Sequence, residues 1–372
     1  MKREELRTPC YVVMEKELKR NLEILAGVRE RTGCKILLAQ KAFSMYYCYP
    51  LIGEYLDGTT ASGLHEVRLG AEEMGKEVHI FSAAYREDEM EEILSYCGHI
   101  VFNSLSQLEK YGERAAAAGK SVGIRINPEC STQEGHAIYD PCAPGSRLGI
   151  KASELPEKLP DYVEGLHFHT LCEQNADALA VTLQALEERF APWLVRMKWV
   201  NFGGGHHITR ADYNIGLLEQ CICHMKENYG VEVYLEPGEA VALSAGHLIT
   251  TVEDIVHGDI AILDASAACH MPDVIEMPYR PPLMDAGEAG EKTYTYSLGG
   301  PTCLAGDRIG TYSFDLPLHC GTRLTFEDMA IYSMVKNNTF NGMRLPDIIW
   351  ERADGECVCI KSFGYEDFKS RL

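Results

Sequence analysis

The chain has 372 residues, of which 46% are hydrophobic and 24% charged, values that exclude a disordered segment or a small disulfide-stapled module. Its 35 basic and 55 acidic residues give a formal net charge of −20, which disfavours duplex nucleic acid and anionic membranes as partners. No stretch approaches the roughly 18 uninterrupted apolar residues of a membrane span, and no apolar core follows the charged N-terminus as in a signal peptide. We therefore expect a cytoplasmic protein whose 14 cysteines are reduced and mostly buried.

Short apolar runs alternate with segments of helical period between about residues 20 and 245. The runs are 35–43, 58–62, 77–83, 99–104, 122–128, 165–170, 198–205 and 231–238. Hydrophobic residues recur at helical spacing before and between them, for example at Leu18, Leu22 and Leu25, at Leu179, Leu183, Leu186 and Phe190, and at Leu218, Ile222, Met225 and Tyr229. Buried strands separated by helices require a parallel sheet, and eight such units predict a closed (β/α)8 TIM barrel. A doubly wound open sheet is the competing architecture, with 58–62 as the weakest strand.

The rhythm changes after about residue 245, where short β-prone runs are separated by Gly, Pro and Asp and show no helical period. These runs are 247–256, 259–264, 293–298, 308–314, 322–326, 347–350 and 357–361. Residues 8–14 also have the pattern of a strand and precede the barrel, so we expect them to join this sheet. Residues 276–292 show no period and are expected to be irregular. The sequence thus predicts a barrel over residues 15–245 and a β-rich domain formed by 1–14 and 246–372.

Polar residues fall where four of the barrel runs end. Lys41 ends the first run, His169 the sixth, Gly203–Gly205 the seventh and Glu236–Gly238 the eighth. In a parallel barrel the chemistry gathers at the C-terminal ends of the strands. Three glycines in a row either make a tight turn or expose backbone N–H groups to a phosphate, and a lone lysine is either a salt-bridge partner or a functional amine. Around one barrel mouth, these groups together favour covalent binding of pyridoxal 5′-phosphate (PLP).

Six sequence blocks, in order along nearly the whole chain, carry a family resemblance. They are AQKAF (39–43), GLHFH (165–169), NFGGG (201–205), EPG (236–238), GPTC (300–303) and TFNG (339–342). Together they resemble the PLP-dependent decarboxylases of the alanine racemase fold, which include ornithine, arginine and diaminopimelate decarboxylases. Blocks 236–240, 264–266 and 303–307 are similar to the polyamine-pathway members of this family. The resemblance implies an alanine racemase-like barrel with a C-terminal β-rich domain, and decarboxylation of carboxynorspermidine or carboxyspermidine to norspermidine or spermidine.

The resemblance also implies roles for the residues at the barrel mouth. Lys41 would bind PLP as a Schiff base, and Glu236 would keep the pyridine nitrogen protonated. His169 would stack on the ring face, and Arg125 would lie near the ring and orient His169 or a cofactor oxygen. His167 is expected on the opposite side of its strand, as a structural residue.

Phosphate binding and proton donation follow from the same resemblance. The backbone N–H groups expected to bind the phosphate belong to Gly203, Gly204, Gly205 and Gly238. Tyr332 of the β-rich domain would add a hydroxyl. Cys303 corresponds to a residue that the family supplies from a second subunit, where it protonates the α-carbon after CO2 leaves. A homodimer with shared active sites is therefore expected.

Acidic residues near these blocks are candidates for the cationic arm of a polyamine substrate. Where basic amino acid decarboxylases have a phosphate-binding Arg after Glu-Pro-Gly, this chain has Glu239, which is left to face either the substrate or solvent. Asp273 and Glu276 belong to the segment that contacts the distal end of the substrate in the family, and Asp307 follows Cys303 closely. A triamine carries more positive charge than ornithine, so extra carboxylates suit it. Glu239 and Glu276 are the first candidates for the aminopropyl arm, with a solvated surface as the alternative.

Other functions remain open at this point. A related PLP decarboxylase acting on diaminopimelate or a basic amino acid shares the same blocks. A metal-dependent barrel hydrolase could recruit His167, His169, His206, His207 and Glu236. A His-x-His pair would then normally lie on the first strand, and Lys41 would have no role, so no metal is expected. A non-enzymatic PLP-binding protein would lack the β-rich domain, and a racemase would need a second base where a single acid, Cys303, suffices for decarboxylation.

Overall fold

The computed structural model describes residues 1–133 and 137–372, which form two compact units. One unit comprises Asn21–Val241, and the other comprises Met1–Arg20 together with Ala242–Leu372. The predicted division at residues 15 and 245 concerns independent folding domains and stays a prediction. In the part of the chain that the structure describes, no helix combines the length and the apolar character needed to cross a membrane.

The strands and helices follow one another along the whole chain with these bounds: β1 Cys10–Met14, α1 Glu15–Thr32, β2 Lys35–Ala39, α2 Tyr49–Tyr55, β3 Gly58–Ala61, α3 Leu64–Glu73, β4 Glu77–Phe81, α4 Glu87–Tyr96, β5 His99–Phe102, α5 Leu105–Ala117, β6 Ser121–Asn127, β7 Ile150–Lys151, β8 Val163–His167, α6 Ala176–Leu194, β9 Trp199–Asn201, α7 Ile215–Tyr229, β10 Glu232–Leu235, α8 Glu239–Ala242, β11 Gly246–Val256, β12 Ile260–Leu263, α9 Ala267–His270, α10 Asp273–Glu276, β13 Tyr294–Gly299, β14 Arg308–Phe314, β15 Arg323–Phe326, α11 Ser333–Lys336, β16 Asp347–Glu351, β17 Cys357–Lys361 and α12 Tyr365–Lys369. Short 3-10 turns at Arg3–Glu5, Tyr46–Cys48, Ala137–Tyr139, Ala152–Glu154 and Phe340–Gly342 complete the regular structure.

The unit Asn21–Val241 contains a closed barrel of eight parallel strands, in the ring order β2, β3, β4, β5, β6, β8, β9 and β10. The ring closes where β10 pairs with β2 and where β5 pairs with β6. The two-residue strand β7 adds only an extra pairing on β6. The predicted (β/α)8 barrel is thus confirmed, and each of its eight apolar runs contains a strand.

The weakest predicted strand, 58–62, shows why composition alone underrates some strands. Gly58 faces the backbone of β4 so closely that a Cβ would lie 1.9 Å from the carbonyl oxygen of Glu77, so only glycine fits there. Thr59 and Thr60 are buried although they are polar. The helices follow their hydrophobic period, since α6 and α7 bury most of the apolar residues that recur at helical spacing.

The remaining unit is built on a mixed sheet with the strand order β14, β13, β12, β11, β1, β16 and β17, and β15 pairs with β11. Strand β1 pairs antiparallel with β11 and parallel with β16, so the early strand joins this sheet as predicted. Four helices of only four or five residues, α9 to α12, interrupt the strands and are too short to produce a visible helical period. Of the stretch 276–292 that was expected to be irregular, residue 276 ends α10, and residues 277–292 form neither helix nor extended strand.

All fourteen cysteines carry free thiols. Seven are buried, four are partly buried and three are exposed, so the expectation of mostly buried thiols is met for only half of them. All three exposed thiols, Cys303, Cys320 and Cys359, belong to the β-rich unit.

Candidate active site

The C-terminal ends of seven barrel strands meet around Lys41, the second residue after β2. A cavity at this end is lined, among other groups, by Lys41, Arg125, His167, His169, Gly204 and Glu236. The lining residues come from β2, β3, β4, β6, β8, β9 and β10 or from the one to three residues that follow them. The structure therefore brings together the barrel residues that the sequence singled out, although they lie up to about two hundred positions apart.

Lys41 is accessible from the cavity, but protein atoms surround its amine. This desolvation lowers the pKa of Lys41, the charge of Arg125 lowers it further, and the carboxylates of Glu236 and Glu239 act in the opposite direction. The result favours the neutral amine over the ammonium ion. A neutral amine is the nucleophilic form, the form that reacts with a carbonyl carbon.

Glu236 is a buried carboxylate held by two neighbours across the barrel mouth. Asn201 donates its Nδ2–H to Oε1 at 2.8 Å, and Nε2 of His167 lies 3.2 Å from Oε2. Burial by itself raises the pKa of Glu236, but the charge and hydrogen bond of His167 lower it to about 2. Glu236 is therefore ionised at neutral pH, deep in the site and able to accept a hydrogen bond from a bound ring.

The imidazole of His169 is fixed by a glycine amide. Gly204 donates its backbone N–H to Nδ1 of His169 at 2.7 Å, which places the ring proton of the neutral imidazole on Nε2. Arg125 donates to the carbonyl oxygen of His169 at 3.1 Å and packs its guanidinium over the ring of Phe81. Burial, with Lys41 and Arg125 nearby, lowers the pKa of His169 well below its ordinary value. Arg125 was expected to orient either His169 or a cofactor oxygen. The structure shows a contact with His169, which Arg125 makes with the backbone carbonyl oxygen and not with the imidazole.

The expectation that His167 lies on the other side of its strand was wrong. Residues two positions apart on a strand point to the same face, so His167 and His169 line one cavity. His167 is buried and contacts Glu236, and burial lowers the pKa of His167. His167 therefore acts on the electrostatics of the site through Glu236.

Close packing of the backbone requires glycine at positions 203 and 205, whether or not a ligand binds there. At Gly203 and Gly205, where φ is +69° and +82°, a Cβ would collide with the 168–172 backbone. The Gly203 and Gly204 amides already donate to Asn201 Oδ1 and to His169 Nδ1. Among the described residues of this block, the Gly205 amide has no protein acceptor. A Cβ at Gly238 would lie 2.6 Å from Cβ of Ala42 and 3.3 Å from Cβ of Ala39. The absence of a side chain at Gly238 thus lets the backbone after β10 approach the residues on either side of Lys41.

Glu239 begins α8 and is not a solvated surface residue. Its Oε2 lies 3.0 Å from Nε2 of His207, and the side chains of both residues are largely buried. Glu173 completes a group whose potential ligand atoms lie within 4.8 Å of one another. His207 had entered the sequence argument only as a metal ligand of a hydrolase, so this pairing was missed.

Cys303 and the family block TFNG meet in the β-rich unit. The backbone N–H of Cys303 donates to Oδ1 of Asn341 at 2.7 Å, and Asn341 adopts a left-handed conformation with φ of +60°. The thiol of Cys303 is exposed, as are the side chains of Leu304 and Phe340 beside it. Tyr332 also has a positive φ, +56°, at the start of α11, a strained conformation that often marks a functional residue.

Asp307 has structural partners. It is 4% exposed, and its oxygens accept hydrogen bonds from the Ser266 and Thr302 hydroxyls and from the Ala268 amide. These bonds join the loop that carries Cys303 to the start of α9. The placement does not support a substrate contact for Asp307, because its acceptor sites are in use.

Asp273 and Glu276, at the two ends of α10, share one cation. Both carboxylates form ion pairs with the amine of Lys336 at the end of α11. One lysine between two carboxylates leaves a net charge of −1 at this group, so one further cation could be matched there. No pattern in the sequence indicates Lys336, since a lysine at the end of a short helix has no distinguishing spacing.

Glu66 is another residue that the sequence argument missed. It belongs to α3, accepts the backbone N–H of Ser62 at 2.6 Å and lies close enough to Lys41 to interact electrostatically. Burial raises the pKa of Glu66, while the Ser62 amide and Lys41 lower it. The signal was present, because β3 ends next to Ser62 and strand ends are where barrel sites form.

The residues of this cavity fit PLP at the end where chemistry occurs. An amine that favours its neutral form, a buried carboxylate and an oriented imidazole line one space, as a carbonyl-bearing pyridine requires. The phosphate end fits in part, because the Gly205 amide is available whereas two neighbouring amides are engaged.

Comparison with known proteins agrees with this chemistry. Residues 10–330 match the family model described as pyridoxal-dependent decarboxylase, C-terminal sheet domain. The chain is 43% identical to a carboxynorspermidine/carboxyspermidine decarboxylase of Campylobacter jejuni, covering 99% of both chains. It is 41% identical to a carboxyaminopropylagmatine decarboxylase of Synechocystis, covering 99% of this chain and 96% of the relative.

Solved structures are similar over the same length. The crystal structure of the Campylobacter jejuni carboxynorspermidine decarboxylase complexed with norspermidine superposes with a TM-score of 0.92 at 43% identity, covering 99% of this chain and 100% of the other. A diaminopimelate decarboxylase from M. jannaschi gives a TM-score of 0.78 at 19% identity, covering 99% and 92%, and shows the shared fold.

Proposed function

The chain belongs to the pyridoxal-dependent decarboxylases, and from that premise we propose that it removes CO2 from a carboxylated polyamine. The proposed substrates are carboxynorspermidine and carboxyspermidine, with norspermidine and spermidine as the products. The observation that carries the chemistry is the cavity that both Lys41, with its lowered pKa, and the ionised Glu236 line. The identity of 43% over the full length to a relative named for these substrates supports the choice of substrate.

PLP is the cofactor of this family. When bound, PLP supplies an electron sink for the electron pair that remains on the α-carbon as CO2 leaves. In our proposal Lys41 would hold the cofactor covalently, and Glu236 would keep a proton on the ring nitrogen because it stays ionised inside the protein. His169, fixed by the Gly204 amide, would cover the ring face, and His167 contacts Glu236 and helps to keep it in its charged form.

The phosphate would be held by a smaller set of groups than the sequence suggested. The Gly205 amide is available, whereas those of Gly203 and Gly204 serve Asn201 and His169. We therefore assign Gly205, with Gly238 and the hydroxyl of Tyr332, to the phosphate.

Cys303 is proposed as the acid that protonates the α-carbon, delivered by a second subunit. Its thiol is exposed in the single chain, and two large apolar side chains beside it, Leu304 and Phe340, are 44% and 46% exposed. Exposed apolar groups next to a functional thiol suit an interface that closes over them. The proposal therefore includes a homodimer with shared active sites, and it keeps the expected cytoplasmic location.

The cationic arm of the substrate would bind near carboxylates whose negative charge is not fully neutralised by neighbouring residues. Asp273 and Glu276 leave a net charge of −1 after pairing with Lys336, and Glu239 lies 3.0 Å from the His207 imidazole. We keep these three acids in the proposal and remove Asp307. A second candidate is carboxyaminopropylagmatine, because the Synechocystis relative named for it is 41% identical. The two substrates differ in the distal group, an amine or a guanidine.

The test is CO2 release by PLP-supplemented protein from carboxynorspermidine, carboxyspermidine, carboxyaminopropylagmatine, meso-diaminopimelate, ornithine and arginine. The proposal expects kcat/KM for one of the first two to exceed that for the last three by at least about 10³-fold, the discrimination that unpaired polar groups produce. Preference for carboxyaminopropylagmatine would move the function to the second candidate. Preference for diaminopimelate, ornithine or arginine would contradict both.

A further inference from the structure

A second cluster of titratable side chains lies at the N-terminal end of the barrel, where strands β4 and β5 begin. Glu77 and His79 belong to β4, and His99 is the first residue of β5. The strand register pairs His79 directly with His99, and their rings stack with centroids 3.9 Å apart. Because Glu77 lies two residues before His79, the three side chains share one face of the sheet. The active-site cavity uses none of them.

The donor atoms of these residues already lie close together. Oε1 of Glu77 is 2.7 Å from Nε2 of His79 and 3.2 Å from Nδ1 of His99. The three atoms all lie within 4.8 Å of one another. Donors bound tetrahedrally to zinc at about 2.0 Å are separated from each other by about 3.3 Å, so little approach is needed. Two imidazoles and one carboxylate are also a donor set that zinc uses in proteins.

Buried ring nitrogens in this cluster have no hydrogen-bond partner in the structure. Nδ1 of His99 is one of them: it lies 3.2 Å from Glu77 Oε1 but without hydrogen-bond alignment. A buried polar atom without a partner costs about 1–3 kcal/mol. A bound ion would supply the partner that Nδ1 of His99 lacks. Because the rings of His79 and His99 are stacked, the lone pairs of their nitrogens point alongside each other and not toward one common point. Binding of a single ion therefore requires the ring of His99, at the rim of the barrel, to turn toward Glu77.

The charges around the cluster also leave room for a cation. The hydroxyl of Tyr234 lies 3.1 Å from Oε1 of Glu77 and 3.0 Å from Oε2 of Glu232, and it can donate its single hydrogen to only one of them. Lys35 approaches Glu77 Oε2 only to 3.9 Å and is equally distant from Asp57. A divalent ion at Glu77 would free the Tyr234 hydroxyl to serve Glu232.

From this geometry we propose that Glu77, His79 and His99 bind a divalent transition-metal ion of the zinc class. The ion joins the first residues of β4 and β5 and leaves the hydroxyl of Tyr234, on β10, to donate to Glu232. The role is structural, because the strand starts lie away from the strand ends that carry Lys41. The site does not depend on the proposed decarboxylation.

Cobalt binding to the chelator-treated holoenzyme, kept reduced with a phosphine, tests the proposal. Equilibrium dialysis with elemental analysis counts bound Co2+ in the wild type and in His79→Asn, His99→Asn and Glu77→Gln. We expect each histidine variant to bind one equivalent less than the wild type and Glu77→Gln to bind at least tenfold more weakly. His224→Asn is the matched control, since His224 is an exposed imidazole 2.9 Å from Glu187 and should leave the count unchanged.

Two further measurements keep the test decisive. Co2+ or Zn2+ should raise the melting temperature of the wild type and of His224→Asn but not of the three cluster variants. Any equivalent bound by Glu173, His207 and Glu239 appears in all proteins and cancels in the difference. If a histidine variant fails to fold, Glu77→Gln, which preserves shape, decides alone. Equal metal counts in all proteins, or no wild-type binding at micromolar Co2+, would overturn the proposal.

Discussion

The two ends of the barrel are built from similar parts and behave differently. At each end a glutamate contacts a histidine, Glu236 with His167 and Glu77 with His79, and the pKa of each glutamate is lowered to about 2. Only the C-terminal end adds a lysine with a lowered pKa and a glycine loop that fixes a second imidazole. A charged carboxylate beside a histidine is therefore a structural element that either end of the barrel can hold. The neighbouring amine and the open strand ends make one of them reactive.

Removing the amine at each end gives the largest expected difference. Lys41→Ala should lower kcat by at least about 10⁴-fold, the scale seen when an enzyme loses its nucleophile, and should abolish the visible absorbance of bound cofactor. Lys35→Ala removes a lysine from the start of the same strand and should keep kcat within about twofold. Steady-state CO2 release and absorbance spectra measure both effects. Loss of activity in both variants would mean that the strand, and not the amine, is what matters.

Neutralising the two glutamates sharpens the comparison. Glu236→Gln should lower kcat by about 10²–10³-fold, because an amide cannot keep a proton on the cofactor ring nitrogen through its charge. Glu77→Gln should leave kcat almost unchanged. The measurement is kcat with saturating cofactor, with cofactor content checked by absorbance. Equal losses of kcat in Glu236→Gln and Glu77→Gln would show that Glu236 affects activity only through the stability of the fold.

The cysteines of the β-rich unit allow a matched test of the proton donor. Cys303→Ala should lower kcat by about 10²-fold, the lower range for a lost general acid, while Cys320→Ala, another exposed thiol of that unit, should not. Mixed dimers of Lys41→Ala and Cys303→Ala subunits should recover up to a quarter of the wild-type activity if each site uses both chains. No recovery in the mixture would argue against sites shared between subunits.

Acid stability should not distinguish the two ends. Since the pKa of each glutamate is lowered from 4.5 to about 2 on folding, each stabilises the native state fully above pH 4.5 and loses that contribution as the pH falls toward 2. The contribution of Glu236 is on the order of 3 kcal/mol at neutral pH, and solvent screening makes that of the more accessible Glu77 smaller. Urea unfolding at pH 7 and pH 3.5 should show both glutamine variants closer to wild type at the lower pH. A gap that widens on acidification would reverse the assigned direction.

The smallest effect is expected at the edge of the active end. Glu239→Gln should raise KM for a carboxylated triamine by about three- to tenfold with little change in kcat, the result of losing one charge contact. Glu227→Gln, at an exposed position of α7, is the control for loss of one negative charge. Kinetics at low and high salt measure the effect, which should diminish with salt. An unchanged KM would remove Glu239 from the substrate site.

Most of the fold and the centre of the site were predictable from the sequence, for a physical reason. Buried parallel strands appear in the sequence as short continuous apolar runs. The residues at their C-terminal ends, such as Lys41 and Glu236, meet at one end of the barrel whatever conformation the loops adopt. The partners of charged groups were not predictable. His207 beside Glu239, Lys336 between Asp273 and Glu276, and the hydroxyls around Asp307 all depend on how loops fold. One error, the side on which His167 lies, concerned a pattern that the strand period does determine.

The most direct test of the central claim, that the strand-end amine is the reactive one, is chemical mapping of the cofactor. The PLP-loaded protein is reduced with borohydride, digested and analysed by mass spectrometry. We expect the mass of the reduced cofactor on the peptide that contains Lys41, at one equivalent per chain, and on no peptide with Lys35 modified. Stoichiometric labelling of any other lysine, or an unlabelled Lys41 in a protein that releases CO2, would contradict it.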